Sequence, residues 1–263
     1  MQKDNKHALI TGASTGIGRA LAIECAKKDI NLALVSLPDS GLENLIQYLN
    51  KNYSVDIKHF TIDLTTENAP NEIYEWTKKE KLDIFMLINN AGRGYLGSFL
   101  NYSYDFYKNL IRLNVESVVL LTHLFLPDLE KQQESYIMNL GSIASYYPMP
   151  YKTVYASSKG FIYSFSRALK EELKGSNVHV SILCPGPILT NQEVIHRIRC
   201  GGFWAKASSM KSQKMARIAL GKLLKKKTII IPGTVNKFFI LINRIIPITI
   251  KLKIISKKFN VDS

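Results

Sequence analysis

The stretch Ala8-Leu9-Ile10-Thr11-Gly12-Ala13-Ser14-Thr15-Gly16-Ile17-Gly18-Arg19-Ala20 runs from an apolar, strand-forming segment through three glycines into the start of a helix. Glycines in such a strand-turn-helix let the backbone turn sharply and approach a pyrophosphate. The N–H groups and positive dipole end of the following helix then meet its charge. The spacing is Gly-x3-Gly-x-Gly rather than G-x-G-x-x-G, so the turn alone leaves an ordinary glycine-rich βα connection as the other reading.

Outward from this turn, the chain alternates short β-branched apolar runs with longer amphipathic stretches, the pattern of βαβ units around a parallel sheet. The runs predict seven strands, at His7–Ile10, Asn31–Ser36, Asp56–Ile62, Ile84–Asn89, Ser135–Leu140, Val178–Cys184 and Thr228–Ile231. No long Gly/Ser/Pro linker separates them. The expected fold class is α/β, a Rossmann-like, doubly wound, parallel seven-stranded sheet in one domain over residues 1–235, with a short helical extension over 236–263. In 160–174, Phe161, Phe165, Ala168, Leu169 and Leu173 recur at helical spacing and predict a helix that buries one face.

Composition narrows the class. The 263 residues are 46% hydrophobic and 21% charged, which excludes disorder and low-complexity fibres. Cys25, Cys184 and Cys200 are scattered, with no C-x-x-C, so neither a disulfide framework nor a metal site is expected and a reducing compartment is the simplest reading. The first residues lead into Ala8 without a long apolar segment, so no secretory signal is expected. The net charge of +14 is uneven: residues 197–263 hold 16 Lys and Arg against one acid, Asp262. Such asymmetry points to an anionic partner (nucleic acid, a lipid surface or an acidic protein) or to a solvated basic face.

Three places carry chemistry. Asn89-Asn90-Ala91-Gly92 ends the fourth predicted strand, at the carboxyl edge where open α/β sheets bind ligands, and its small residues admit a cofactor. Ser142 follows the fifth strand. Tyr155 and Lys159 stand one helical turn apart on one face. A tyrosine hydroxyl, with an ordinary pKa of about 10, is a poor base at neutral pH, and a neighbouring ammonium favours the phenolate. Tyr155 would then exchange a proton with an alcohol or carbonyl oxygen that Ser142 holds in place.

Together these residues resemble the short-chain dehydrogenase/reductase family over about residues 6–231. The resemblance assigns the cofactor-binding turn to Gly12, Ser14, Thr15, Gly16, Ile17 and Gly18, and the sheet-edge motif to Asn89, Asn90, Ala91 and Gly92. It makes Ser142, Tyr155 and Lys159 a catalytic triad, with Asn114 as a fourth catalytic residue holding a water that links the lysine to solvent. Asp63 and Leu64 fall where the family contacts the adenine. Pro185-Gly186-Pro187-Ile188-Leu189-Thr190 resembles a segment that contacts the nicotinamide and phosphates, with Ile188 covering the ring. The implied reaction is reversible hydride transfer between NAD or NADP and a carbonyl or secondary alcohol. Lys159 would also bind ribose hydroxyls. The end of the second strand normally separates the two cofactors, an acid favouring NAD and an arginine NADP. Here it reads Ser36-Leu37-Pro38-Asp39: no carboxylate at Ser36 inclines the reading to NADP, while Asp39 stands nearby on the other side of the question.

The end of the chain resembles the hydroxysteroid dehydrogenase and long-chain ketoacyl reductase subgroup. Residues 191–211, with Ile195, Phe203, Trp204 and Met210, fall where the family's substrate loop closes, and an apolar lid suits a lipophilic substrate. Lys225-Lys226-Lys227 reads as a cation cluster at a helix C-terminus. Val235–Phe259 interleaves Phe238-Phe239-Ile240-Leu241-Ile242, Ile245-Ile246 and Ile248 with lysines. Arg244 and Pro247 break it into runs far shorter than the ~20 residues that span a bilayer, so two short helices are expected, folded onto the domain or lying on a membrane surface. The expected protein is cytoplasmic, peripheral to the inner membrane face, and a homo-dimer or homo-tetramer by resemblance. It has no specific nucleic-acid partner. The other reading is a non-catalytic module that senses a cofactor or binds an anionic surface.

Overall fold

The computed structural model describes residues 6–189 and 208–259. Seven strands form one parallel sheet: β1 (Lys6–Thr11), β2 (Asn31–Ser36), β3 (Ile57–Thr61), β4 (Asp83–Asn89), β5 (Ser135–Leu140), β6 (Val178–Leu183) and, after a two-residue pair β7 (Ile188–Leu189) and β8 (Met210–Lys211), the short β9 (Ile229–Ile230). The order is β3-β2-β1-β4-β5-β6-β9. Against the predicted runs, β2 and β5 match at both ends, β1 and β4 begin a residue earlier and β1 also ends a residue later, and β3, β6 and β9 are shorter by one residue at one or both ends, with apolar character continuing past the last paired residue. Sequence did not anticipate the β7–β8 pair, which joins Ile188 to Met210 and Leu189 to Lys211.

Both faces of the sheet are covered, which is why its central strands read as unbroken apolar runs rather than as an alternation. Ala8, Ile10, Leu32, Leu34, Met86 and Ile88 face one side, under α1 (Gly16–Ala26), α2 (Leu42–Asn52) and, later in the chain, a helix over Ser212–Leu223. Leu9, Ala33, Val35, Leu87 and Ile137 face the other, under α3 (Ala69–Lys79) and α5 (Ser117–Glu130). A short α4 (Tyr104–Ile111) precedes α5, α6 (Thr153–Glu172) follows β5, and the Ser212–Leu223 helix is α7.

Tyr104–Glu130 is long and apolar enough to cross a membrane by length and composition. In this fold Leu121, Phe125 and Leu129 are buried against the sheet and α3, the placing of a core helix. The chain closes with α8 (Thr234–Ile245) and α9 (Ile248–Phe259), broken at Pro247, whose ring and missing N–H stop a helix. Asn236 and Ile240 of α8 are buried, so this part of the extension packs on the domain.

The order places a topological switch between β1 and β4, whose following helices lie on opposite faces. In a parallel sheet every strand's carboxyl end opens on one edge, and ligands bind outside it at the switch. Ser36 ends β2, and Gly12, Asp63, Asn90, Ser142 and Gly186 follow β1, β3, β4, β5 and β6, so the topology alone gathers them there.

Candidate active site

The glycine turn is fixed from beneath. The Asn90 side-chain amide donates to the carbonyls of Thr11 (2.8 Å) and Gly12 (3.1 Å), while Thr11 Oγ1 accepts from the backbone N–H groups of Asn90 and Ala91, both at 3.0 Å. Gly12 has φ +63°, a conformation L-residues rarely adopt, and a Cβ on it would lie 3.0 Å from Ala91 Cα. Gly18 has no room for a Cβ either, since it faces the Gly12 carbonyl and the Asn90 amide. α1 therefore begins against the turn, with its N–H groups aimed outward. Asn90 Oδ1 is buried with no partner among the described residues. A turn with no room for side chains, set at the N-terminus of α1, fits the phosphates of a dinucleotide, and the orphaned Asn90 acceptor calls for a hydroxyl or N–H donor rather than a phosphate oxygen.

Next to it, Asn89 donates to Thr122 Oγ1 and to Asn139 Oδ1 (2.9 Å), and Asn139 donates to Ser166 Oγ. This chain of amides ties β4 to β5, α5 and α6 under the site. Asn114 is wholly buried in a π-helical turn, Arg112–Glu116, between α4 and α5. Such bulges re-aim single side chains. Asn114 accepts from Arg93 N (2.9 Å) and donates to Arg93 O and to Ser158 Oγ. A Cβ on Gly92 would lie 3.1 Å from Asn114 Oδ1 and 3.2 Å from Lys159 Nζ, so amide and ammonium bracket the same point.

Ser142 caps a 3-10 turn over Ile143–Tyr146, its hydroxyl accepting from Ala144 N at 3.1 Å. α6 brings Tyr155 to face it. Burial pushes the Tyr155 phenol above its ordinary range, and its hydrogen bond with Ser142 works in the opposite direction. The lowering of this phenol by the lysine, expected from sequence, gives way to a rise: desolvation dominates, and the opposing group is Ser142 rather than Lys159. Lys159, 4% exposed, is itself held down to about 8 by burial and donates to Leu140 O at 2.7 Å.

The lysine shift carries a prediction. Unfolded, the amine binds its proton up to pH 10.5; folded, only up to about 8. Between those values the unfolded chain holds more protons, so stability rises with pH. Below pH 8 the whole penalty, about 3 kcal/mol, is present. Lys159→Met should remove this rise, visible as a smaller difference between urea midpoints at pH 7 and pH 10 than in the wild type, together with loss of turnover. An unchanged pH dependence would contradict the burial of a charged amine here.

The remaining candidates divide. Ser36 donates to Ser14 Oγ (2.7 Å) and shares a 2.9 Å bond with Ser40, a cluster of three hydroxyls at the end of β2. Asp63 is engaged locally, its carboxylate accepting from Thr65 N at 2.8 Å, and Leu64 is buried in the core, leaving mainly backbone for an adenine. Thr15 is exposed at the start of α1 and Ile17 packs partly into the core. Pro185 is buried, its carbonyl accepting from Ile143 N, and Ile188 is buried in the core beside Met210. Thr190 lies outside the described residues, as do Ile195, Phe203, Trp204 and most of the 191–211 loop.

Sequence missed three participants. Tyr95 OH bonds Thr153 Oγ1 and accepts from Val154 N, fixing the start of α6. Asn236 of α8 donates to Ser208 O and Pro232 O, and a Cβ on Gly186 would meet its amide at 2.5 Å. It thus ties Ser208 and Pro232 to the Pro185–Gly186 segment. Ile255 of α9 packs on the Ala144, Met149 and Ala156 cluster that Tyr155 also touches, so the extension walls the site. None of these carries a local sequence signal.

The family model described as short chain dehydrogenase matches residues 6–196. Human 17-beta-hydroxysteroid dehydrogenase type 3 is 34% identical over 187 residues, 70% of this chain and 59% of that protein. Very-long-chain 3-oxoacyl-CoA reductase of Bos taurus is 31% identical over 222 residues, 81% of this chain and 68% of that protein. The chain thus spans 59% of the length of the human relative and about two thirds of the bovine one. A solved short-chain dehydrogenase from Sphingobium yanoikuyae, in complex with NADPH, is 25% identical and superposes with a TM-score of 0.78 over 91% of this chain and 93% of that one.

Proposed function

The chain belongs to the short-chain dehydrogenase family, and on that premise we propose that it is a nicotinamide-dependent oxidoreductase interconverting a carbonyl and a secondary alcohol on a lipophilic substrate. The observation that carries this reading is the meeting of Ser142, Tyr155 and Lys159 with Asn114 beside a glycine cradle built for phosphates. A bound nicotinamide dinucleotide supplies the hydride. The protein supplies position and the proton. Gly12, Gly16 and Gly18 would admit the diphosphate, and Pro185, Gly186 and Ile188 would line the nicotinamide end.

Ser142 donates a hydrogen bond to the substrate oxygen, and Tyr155 gives that oxygen its proton during reduction or takes it back during oxidation. Burial keeps this phenol protonated in the resting site, ready to donate. One of the three Lys159 protons is engaged by Leu140 O, which leaves two for ribose hydroxyls. Asn114, gripped by Arg93 and Ser158, fixes the polar path behind the lysine. The hydroxyls of Ser14, Ser36 and Ser40, with no carboxylate among them, support NADP over NAD.

The named relatives act on steroids and very long acyl chains, and the Ile255 wall supports a comparably lipophilic substrate here. Exposed Leu120 on α5 and Phe161 on α6 support association between copies of the chain. The apolar, basic surface of α8 and α9 supports contact with an anionic membrane surface rather than passage through it. The chemistry is tested by following NADPH and NADH absorbance with a bulky lipophilic ketone and with a small hydroxyketone. The expected result is NADPH consumption at least tenfold faster with the bulky ketone. Consumption of neither cofactor with any ketone would overturn the reading.

A further inference from the structure

On the far edge of the sheet, β9 lies at the floor of an open groove of about 540 Å³ between α7 and α8. Five cations line it: Arg217, Lys222, Lys225, Lys227 and Lys237, alongside isoleucines of α7 and the β9 edge. No acidic residue is among its lining residues. Several lysines elsewhere in the fold meet a carboxylate: Lys78 and Lys131 share Asp128, Lys27 meets Glu24, and even Lys226, in the middle of the run 225–227, turns away to Glu134 at 2.6 Å. Burial together with the nearby Lys237 and Lys227 holds the Lys222 amine below the ordinary lysine range. Like charges gathered in one concavity repel unless an anion joins them.

The same helix that supplies Lys237 carries an outward apolar stripe. Phe238, Leu241 and Ile245 are 57, 58 and 79% exposed, and Ile248, Ile250 and Ile254 continue this character on α9. Cations and hydrocarbon-seeking side chains thus start on one helical turn. A nucleic acid or a soluble phosphate satisfies the groove but leaves the stripe in water, and a neutral bilayer satisfies the stripe but leaves the groove uncompensated. An anionic phospholipid presents both chemistries in the required order, phosphate next to acyl chain.

We propose that the groove between α7, β9 and α8 binds the phosphate headgroups of anionic phospholipid while the apolar stripe of α8 enters the leaflet. This rests on the membrane-surface reading given above and is independent of the redox chemistry. It places α9, whose Ile255 packs beside Tyr155, at the lipid boundary, which brings the site to where a lipophilic substrate resides.

The full chain is tested by sedimentation with vesicles of phosphatidylcholine alone or mixed with phosphatidylglycerol. Wild type should bind the mixed vesicles and not the neutral ones. Each lysine at an anionic surface is worth about fivefold, so Lys222→Gln/Lys225→Gln/Lys227→Gln should weaken binding on the order of 100-fold. The same charge change at Lys131, Lys170 and Lys174 should weaken it only a few-fold. Leu241→Ser should release the protein with every charge intact. The groove variant relieves repulsion, so it should fold at least as well as wild type, checked by thermal midpoint and NADPH affinity. No binding of wild type to either vesicle would overturn the surface reading and the proposal with it. Equal losses in the two triple variants, or retention of a single-stranded oligonucleotide but not of vesicles, would overturn the headgroup groove alone.

Discussion

Tyr155→Phe is expected to lower kcat by about 10²–10⁴-fold, the range a positioned acid-base group contributes, while NADPH affinity stays within about twofold of wild type. The substitution removes one oxygen. The ring that remains keeps its contact near Gly94, where a Cβ would lie 3.4 Å from Tyr155 Cε2, and its place on the Ala144, Met149 and Ala156 cluster. What disappears is the hydroxyl that faces Ser142 and, with it, the proton for the substrate oxygen. Turnover and a parallel fluorescence titration with NADPH separate the two effects. A variant that turns over at the wild-type rate would move the proton donor elsewhere.

Gly18→Ala should do the opposite, acting on the cofactor before the chemistry. The new Cβ would press into the Gly12 carbonyl and lie 2.6 Å from Asn90 Nδ2 and 2.8 Å from Gly12 C. Neither neighbour is the loose end of a flexible chain. The carbonyl belongs to the turn, and the amide is anchored to Thr11 O and Gly12 O. The start of α1 or the turn must therefore shift, at about 1–3 kcal/mol of stability. The diphosphate cradle shifts with it, so NADPH affinity should fall at least ~100-fold, a loss of roughly 3 kcal/mol in binding. The check is the same titration, with a urea melt to show that the chain still folds. Unchanged affinity would mean that the turn does not hold the phosphates.

The sheet was legible because a strand buried on both faces has little choice of residues: Ala8 to Ile10, Leu32 to Val35 and Met86 to Ile88 are apolar in every position. The break in the extension was legible at Pro247, where the backbone itself forbids a continuous helix. The glycine turn and the Tyr155–Lys159 pair were legible because their spacing is local, four residues or fewer. The β7–β8 pair was not, since a two-residue ladder carries no pattern. The direction of the Tyr155 shift was hidden for a different reason. A neighbouring lysine can be read from a sequence, but burial, which dominates, is a property of the packed site.

Positions spread over separate elements were the least visible. Asn114 looks like any helix amide until the π turn aims it at Gly92. Lys225-Lys226-Lys227 reads as one cluster at the end of α7, yet the left-handed Lys226, at φ +58°, turns to Glu134 while its neighbours line the groove. The other members of that groove come from α7 and α8, ten residues on, and only the fold brings them together.

The carboxyl edge of this sheet is expected to hold a nicotinamide dinucleotide for chemistry at Tyr155. A fluorescence titration of the purified protein with NADPH and NADH tests it most directly. Saturable binding of both is expected, tighter for NADPH, where Ser36 stands in place of a carboxylate. Saturation by neither cofactor would contradict it, whatever the geometry of Ser142, Tyr155 and Lys159.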